Sequence, residues 1–240
     1  MIASRTFVVI GAGGLGCPAL LGLRMAGARR IDVIDCDRVE LSNLHRQVLY
    51  DLGDVGAHKA EVAAAKLRAF GIDARSFVQR VTPDDVEAIV AASPADAIVL
   101  ECTDQPALKF AANDACVRHG RSLVLAASLG LRGHVIAVVP GSACYRCVFE
   151  APPPLELVPT CASAGVLGTA VGTTGFLQAH LAVAIASNDF AVDDEARGRL
   201  LELDLSRGTI RALAGRKRRD CICACEAPPR AATPGDRGDP

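Results

Sequence analysis

The sequence predicts an α/β fold: a doubly wound, mostly parallel sheet carrying an antiparallel extension at its C-terminal side. Three observations carry that expectation. Short β-branched runs alternate with longer alanine-rich segments, the links between them are short, and after residue 128 the rhythm changes to longer strands. Residues 7–10 read as the first strand, entering a glycine-rich turn and then a helix over 16–26. Strands at 31–35, 75–79, 97–100 and 123–126 alternate with helices at 59–70, 83–92 and 106–119. Pro83 and Pro106 suit a first helical turn, and Gly71 and Gly120 suit helix ends. A longer strand at 131–139 leads to a proline-rich connection at 151–159 and a Gly/Ala-rich helix within 164–187. Residues 201–205 and 209–213 form a hairpin about Ser206-Arg207-Gly208. One domain over 1–226 is expected, followed by a disordered Pro/Gly/Arg/Asp tail at 227–240.

Half of the 240 residues are hydrophobic and 22% are charged, enough for a sizeable core. A net charge of −1 gives no electrostatic case for nucleic-acid binding, and the short run Arg216–Arg219 reads as solvated surface. No signal peptide precedes the first strand. The apolar stretch 164–187 is interrupted by Gly165, Gly168, Gly172 and Gly175 and carries Gln178 and His180, which argues for a core or interface helix rather than a membrane span. A cytoplasmic protein follows. In a reducing compartment ten cysteines point to metal binding or chemistry rather than disulfides, and Cys17, Cys36, Cys102 and Cys116 read as small buried hydrophobes.

Chemistry begins at Gly11-Ala12-Gly13-Gly14-Leu15-Gly16, where a strand turns into a helix. Glycines let the main chain approach a phosphate whose charge meets the helix N-terminal amides. The second strand ends in Asp35-Cys36-Asp37, and an acid there suits ribose hydroxyls. So far a nicotinamide dehydrogenase fits equally well. Ser42-Asn43-Leu44-His45-Arg46-Gln47 and then Lys59 change the balance, because a redox dinucleotide needs no such pair of cations. A triphosphate does, since negative charge builds up as pyrophosphate leaves. The strand at 97–100 runs into Glu101-Cys102-Thr103-Asp104, and a carboxylate at that sheet edge suits Mg2+ held against phosphate oxygens. Cys144-Tyr145-Arg146-Cys147 has the spacing of a zinc knuckle, with Cys221, Cys223 and Cys225 as candidates to complete a Zn2+ site.

GAGGLGCPAL, IDCDRVELSNLHRQ, VGAHKAE and ECTDQ together resemble the ThiF/MoeB/HesA family, the bacterial relatives of ubiquitin-activating enzymes. The resemblance spans residues 7–225 and implies a Rossmann-like adenylyltransferase. Its substrates would be ATP and the C-terminal glycine of a small ubiquitin-like sulfur carrier ending in Gly-Gly. It also implies a homodimer. By position it implies that Gly11, Gly13 and Gly16 line the nucleotide loop and Asp35 takes the ribose. Ser42, Asn43 and Arg46 lie near the triphosphate, Lys59 contacts phosphate, and Asp104 binds magnesium. Gly14, Asp37 and Gln47 fall in the same motifs and are counted with the nucleotide set.

The resemblance further implies that Cys161, in a Thr-Cys pair before the long helix, stands where some members keep a thiol nucleophile for a thioester or persulfide step. Three departures stand out. Gln105 occupies a position where the family has Asn, and the C-terminal cysteines run Cys-x-Cys-x-Cys rather than Cys-x-x-Cys, leaving the second zinc pair ambiguous. An N-terminal helical segment with an RYxRQ-type motif is also expected and absent, which motivates the alternative of a non-catalytic nucleotide-binding partner of a complete enzyme.

Overall fold

Eight strands build one sheet: β1 (Thr6–Ile10), β2 (Arg30–Ile34), β3 (Asp73–Phe77), β4 (Ile98–Glu101), β5 (Ser122–Leu129), β6 (Arg132–Val138), β7 (Leu200–Asp204) and β8 (Thr209–Leu213). The structure, a computed structural model, describes residues 2–154, 165, 167–187, 198–213 and 215–224. Cys161, Cys225 and the expected tail at 227–240 lie outside them. The strand order is β3-β2-β1-β4-β5-β6-β7-β8, parallel from β3 through β5 and antiparallel from β5 onward. This is the α/β Rossmann-like sheet with an antiparallel extension that the sequence predicts.

Helices α1 (Gly16–Met25), α2 (Lys59–Arg68), α3 (Pro83–Ala92) and α4 (Pro106–Arg118) cross between the parallel strands. Pro83 and Pro106 open α3 and α4, and Gly71 and Gly120 adopt φ of 76° and 61° past the ends of α2 and α4. A short helix α5 (Tyr145–Val148) follows β6, and the long helix α6 (Gly168–Ser187) precedes β7. One hydrophobic layer joins Leu20, Leu67, Ala179 and the inner face of β1; the opposite layer joins Val86, Leu108 and Leu125.

Two strands differ from expectation by two residues or more because pairing, rather than local pattern, sets them; the others agree to within a residue at each end. Strand β3 lies two residues early, where Asp73 to Phe77 meet Arg30 to Ile34, and Arg75 binds Asp32 through Nε at 2.7 Å and Nη2 at 2.5 Å. Strand β5 runs on to Leu129 because β6 folds straight back on it, the link containing Gly130 at φ 58°. Helix α6 is long and apolar enough to cross a bilayer, but here it packs on α1 and the sheet. A Cβ on Gly22 would lie 2.6 Å from the Ala179 methyl, and one on Gly175 would lie 2.5 Å from the Leu15 carbonyl oxygen. The buried Gln178 amide donates from α6 to the carbonyls of Glu101 and Val124 at 2.9 and 2.8 Å, stitching the helix to β4 and β5.

Candidate functional site

The chain proceeds from β1 outward to β2 and β3, then returns to lay β4 on the other side of β1. Ligands of open α/β sheets bind at such a reversal, outside the carboxyl ends of the strands. Here that edge collects the turns 11–16, 35–37 and 102–104.

Main-chain packing explains the glycines. Gly11 has φ +93°, and a Cβ on it would come within 3.1 Å of the Cys102 carbonyl carbon. A Cβ on Gly16 would lie 2.0 Å from the Gly11 carbonyl oxygen, and one on Gly14 2.8 Å from Val171 Cγ1. Gly13 has no neighbour closer than Gln47 Nε2 at 3.7 Å, so the apo fold does not require it. Leu15 precedes α1 without a side-chain cap, and the amides of Gly13, Gly14 and Leu15 find no acceptor among the described residues. Unpaired amides at a helix N-terminus form an anion cradle.

Asp35 holds the cradle in shape. One carboxylate oxygen accepts from the Ala12 amide at 2.7 Å and the other from the Asp37 amide at 2.8 Å. Burial raises the Asp35 carboxyl above its ordinary range, opposed by those two amides. The Ala12 carbonyl accepts from Tyr50 Oη at 2.8 Å and Cys17 Sγ at 3.4 Å, and burial pushes the Cys17 thiol up to about 12. Tyr50 also donates to the Lys59 carbonyl at 3.2 Å, joining the glycine turn to the start of α2. Lys59 reaches the edge, but its ammonium is paired with Asp37 at 2.9 Å. Burial alone would raise the Asp37 carboxyl; the Lys59 hydrogen bond and charge outweigh it, and the net shift is downward. Cys36 departs from the expected buried cysteine: it is half-buried, its thiol 3.5 Å from Asp37 Oδ1.

The SNLHRQ segment forms a short helical turn, Leu41–Asn43, on an unpredicted support, Glu40. The Glu40 carboxylate accepts from Ser42 Oγ at 3.3 Å and Asn43 Nδ2 at 3.2 Å. Asn43 Oδ1 then accepts from Arg46 Nη2 at 2.5 Å, and Arg46 Cδ lies 3.6 Å from where a Gly14 Cβ would be. The guanidinium is thus oriented beside the amide cradle before any ligand arrives. Gln47 is buried, and its Oε1 has no partner among the described residues. Asp104 is exposed beyond β4, likewise without a partner among them, so its carboxylate is free to take a hard cation.

A second site lies on the opposite face of the sheet. Cys144, Cys147, Cys221 and Cys223 turn their sulfurs to one point, all within 4.8 Å of one another. Cys144 to Cys221 is 3.5 Å, Cys147 to Cys223 is 3.4 Å and Cys144 to Cys147 is 4.0 Å. A tetrahedron with zinc–sulfur bonds near 2.3 Å has edges of about 3.8 Å, so the set fits a thiolate-bound zinc. Among the described residues the helical turn Ile222–Ala224 brings Cys221 and Cys223 to Cys144 and Cys147 despite their one-residue spacing. Asn113 Nδ2 lies 3.7 Å from Cys144 Sγ, while its Oδ1 accepts from the Tyr145 amide at 2.8 Å. Arg218 N points at Cys147 Sγ at 3.5 Å, and Arg146 grips Asp114 through two bonds of 2.6 and 2.7 Å. Burial pushes the Cys144 thiol up to about 11.

Comparison with known proteins agrees with this geometry. The sequence model of the ThiF family matches residues 1–225. A curated relative from Sus scrofa, adenylyltransferase and sulfurtransferase MOCS3, is 38% identical over 95% of this chain and 50% of its own length. Adenylyltransferase and sulfurtransferase uba4 from Aspergillus terreus is 35% identical over 94% of this chain and 48% of its own. The chain therefore spans about half the length of the curated relatives it matches. Among solved structures, E. coli MccB with ATP superposes with a TM-score of 0.80 at 21% identity, covering 93% of this chain and 68% of that one, which is a likeness of fold. Since the family match takes in both the glycine turn and the four described cysteines of the second site, the chain belongs to the ThiF family.

Proposed function

We propose that this chain is an adenylyltransferase that uses ATP to activate the C-terminal glycine carboxylate of a small ubiquitin-like sulfur carrier ending in Gly-Gly. The observation that carries it is Arg46, fixed by Asn43 and lying along Gly14 beside three unpaired amides. A redox dinucleotide leaves such a cation without employment, whereas departing pyrophosphate requires it. The names of the pig and fungal relatives, adenylyltransferase and sulfurtransferase, support the same chemistry.

A C-terminal carboxylate is already ionised near neutral pH, so no general base is needed. Its oxygen attacks the α-phosphorus, the bond to the bridging oxygen breaks, and pyrophosphate leaves with the electron pair. Gly11, Gly13, Gly14 and Gly16 shape the phosphate cradle, Asp35 takes the ribose with Asp37 beside it, and Ser42, Asn43, Arg46 and Gln47 meet the triphosphate. Lys59 reaches phosphate by exchanging its Asp37 partner for the nucleotide. Asp104 holds magnesium, which neutralises phosphate charge when bound. Cys144, Cys147, Cys221 and Cys223 hold a structural zinc. Cys161 acts after adenylation as the nucleophile: its thiolate attacks the acyl carbon, the bond from that carbon to the AMP phosphate oxygen breaks, and AMP leaves; the working unit is a cytoplasmic homodimer.

Exchange of labelled pyrophosphate into ATP tests this. Exchange is expected only when a Gly-Gly-ended carrier is added. A folded, metal-loaded sample that shows no exchange with any such carrier rejects the proposal.

A further inference from the structure

We infer that the buried ion pair between Glu101 and Lys109 is a positioning pair that sets the direction of Asp104. Glu101 ends β4 with no exposed surface, and Lys109 sits 4% exposed in the first turn of α4. All three ammonium protons of Lys109 are used: Nζ lies 2.5 Å from Glu101 Oε2, 2.8 Å from the Thr103 carbonyl and 2.6 Å from the Ala126 carbonyl. The other oxygen of Glu101 accepts from the Thr103 amide at 2.9 Å and from the Thr103 hydroxyl. Both main-chain polar groups of Thr103 are therefore held by this one pair, a single residue before Asp104.

The opposite side of the turn is closed as well. The missing Gly11 side chain lets Cys102 and Thr103 pack against the glycine turn, where a Cβ would lie 3.2 Å from Thr103 Cγ2. Cys102 Sγ donates to Gln178 Oε1 at 3.2 Å. Asp104 itself has no partner among the described residues, so its orientation is inherited from Thr103. A buried ion pair is a poor device for stability alone, because desolvation offsets most of the attraction and an apolar pair does as well. What an apolar pair cannot do is bind the N–H and C=O of the same turn residue. Among the described residues this is a buried lysine the adenylation chemistry does not otherwise use, and it stands at the edge where the metal-bound nucleotide would lie.

The inference rests on the proposed role of Asp104 in holding magnesium, and the test separates the two. ATP affinity is measured by calorimetry in excess chelator and across a magnesium titration, for the parent, Asp104→Ala, Lys109→Arg and the apolar double variant Glu101→Leu/Lys109→Met. The double variant leaves no unpaired buried charge, and its folding is checked by thermal melting. It is expected to need about tenfold more magnesium for half-saturation, with metal-free ATP affinity within about twofold of the parent. Lys109→Arg is expected to fall between the two. A folded double variant with the parent's magnesium requirement overturns the inference while leaving Asp104 as the ligand. Equal losses with and without magnesium overturn it too, as does a double variant that cannot fold, which makes the pair a folding requirement. A parent and Asp104→Ala with the same magnesium requirement overturn the role of Asp104 and this inference together.

Discussion

The nucleotide edge and the cysteine cluster are both reached by helix α4, and they are held in opposite ways. At the edge, the protein satisfies its own scaffold: Asp35 binds two amides, Tyr50 ties two carbonyls, Asn43 fixes Arg46 and Lys109 fixes Thr103. Among the described residues the groups left open there include three amides, the Gln47 oxygen, the His58 Nδ1 and the Asp104 carboxylate. The cluster, reached by Asn113 and Asp114 farther along the same helix, has four sulfurs turned chiefly on one another. Four sulfurs at that distance suit a shared cation, which would draw off their protons and complete the set. The first site is preorganised by its own hydrogen bonds; the second is a set of sulfurs that a bound metal would complete.

The largest effect expected from that contrast follows metal removal. Zinc affinity in a four-thiolate site is folding free energy, on the order of 10 kcal/mol in apparent terms. Stripping the metal with a chelator should expose Tyr145–Val148 and Ile222–Ala224 to hydrogen exchange, while amides of β1 and β4 stay protected. A purified chain without metal whose two segments are fully protected would contradict a cation-completed cluster.

Next comes the edge. Arg46→Ala should lower carrier-dependent exchange by about a hundredfold to a thousandfold, the usual loss for one preorganised donor at developing charge. Its melting temperature should match the parent, because Arg46 caps no helix and joins no ion pair among the described residues. Unchanged exchange would move the phosphate site elsewhere.

Smaller effects sharpen the comparison through stability. Gly16→Ala should destabilise the fold by ~3 kcal/mol, since the new methyl meets main chain that cannot move aside. Gly13→Ala should melt like the parent, because its Cβ would make only an ordinary contact, 3.7 Å from Gln47 Nε2. Equal melting of the two variants would mean that the turn relaxes freely.

The smallest concerns acid. His134 packs beside the contacting rings of Tyr145 and Phe149, and burial followed by the Lys109 charge pushes its pKa down to about 4 from 6.5. A folded-state pKa below the unfolded one means the unfolded chain binds the proton more readily. Its contribution is thus fully present above 6.5 and fades as pH falls toward 4. His134→Phe should flatten that part of the stability profile, measured by denaturant melts at each pH. An unchanged profile would assign the acid sensitivity to other groups.

Much of the parallel half was legible because its signals are local. Periodicity marks α1 to α4, and glycine and proline punctuate their ends. The residue types in GAGGLG and SNLHRQ announce phosphate and cation before any fold is known. The antiparallel half was less legible: strand β5 gains three residues from its partner β6, and no local pattern near 127–129 encodes that pairing. Lys59 shows the same limit within the site. Its spacing marked a phosphate contact, but only the fold brought Asp37 to 2.9 Å from its ammonium. Tyr50 and Lys109 gave no signal at all, since each sits in an ordinary apolar stretch and acts through carbonyls distant in the chain.

By itself the sequence determined the fold class, the glycine turn and the placing of Arg46 and Asp104 near one sheet edge, because those follow from residue type and strand–helix rhythm. Tertiary structure alone showed that thiols far apart in the chain converge, bringing Cys221 and Cys223 to Cys144 and Cys147 among the described residues. It alone also decided which groups the protein keeps for itself and which it leaves open. The physical reason is that hydrogen-bond satisfaction and sulfur-to-sulfur distance depend on atoms as far as 77 residues apart along the chain, a relation that no local pattern carries.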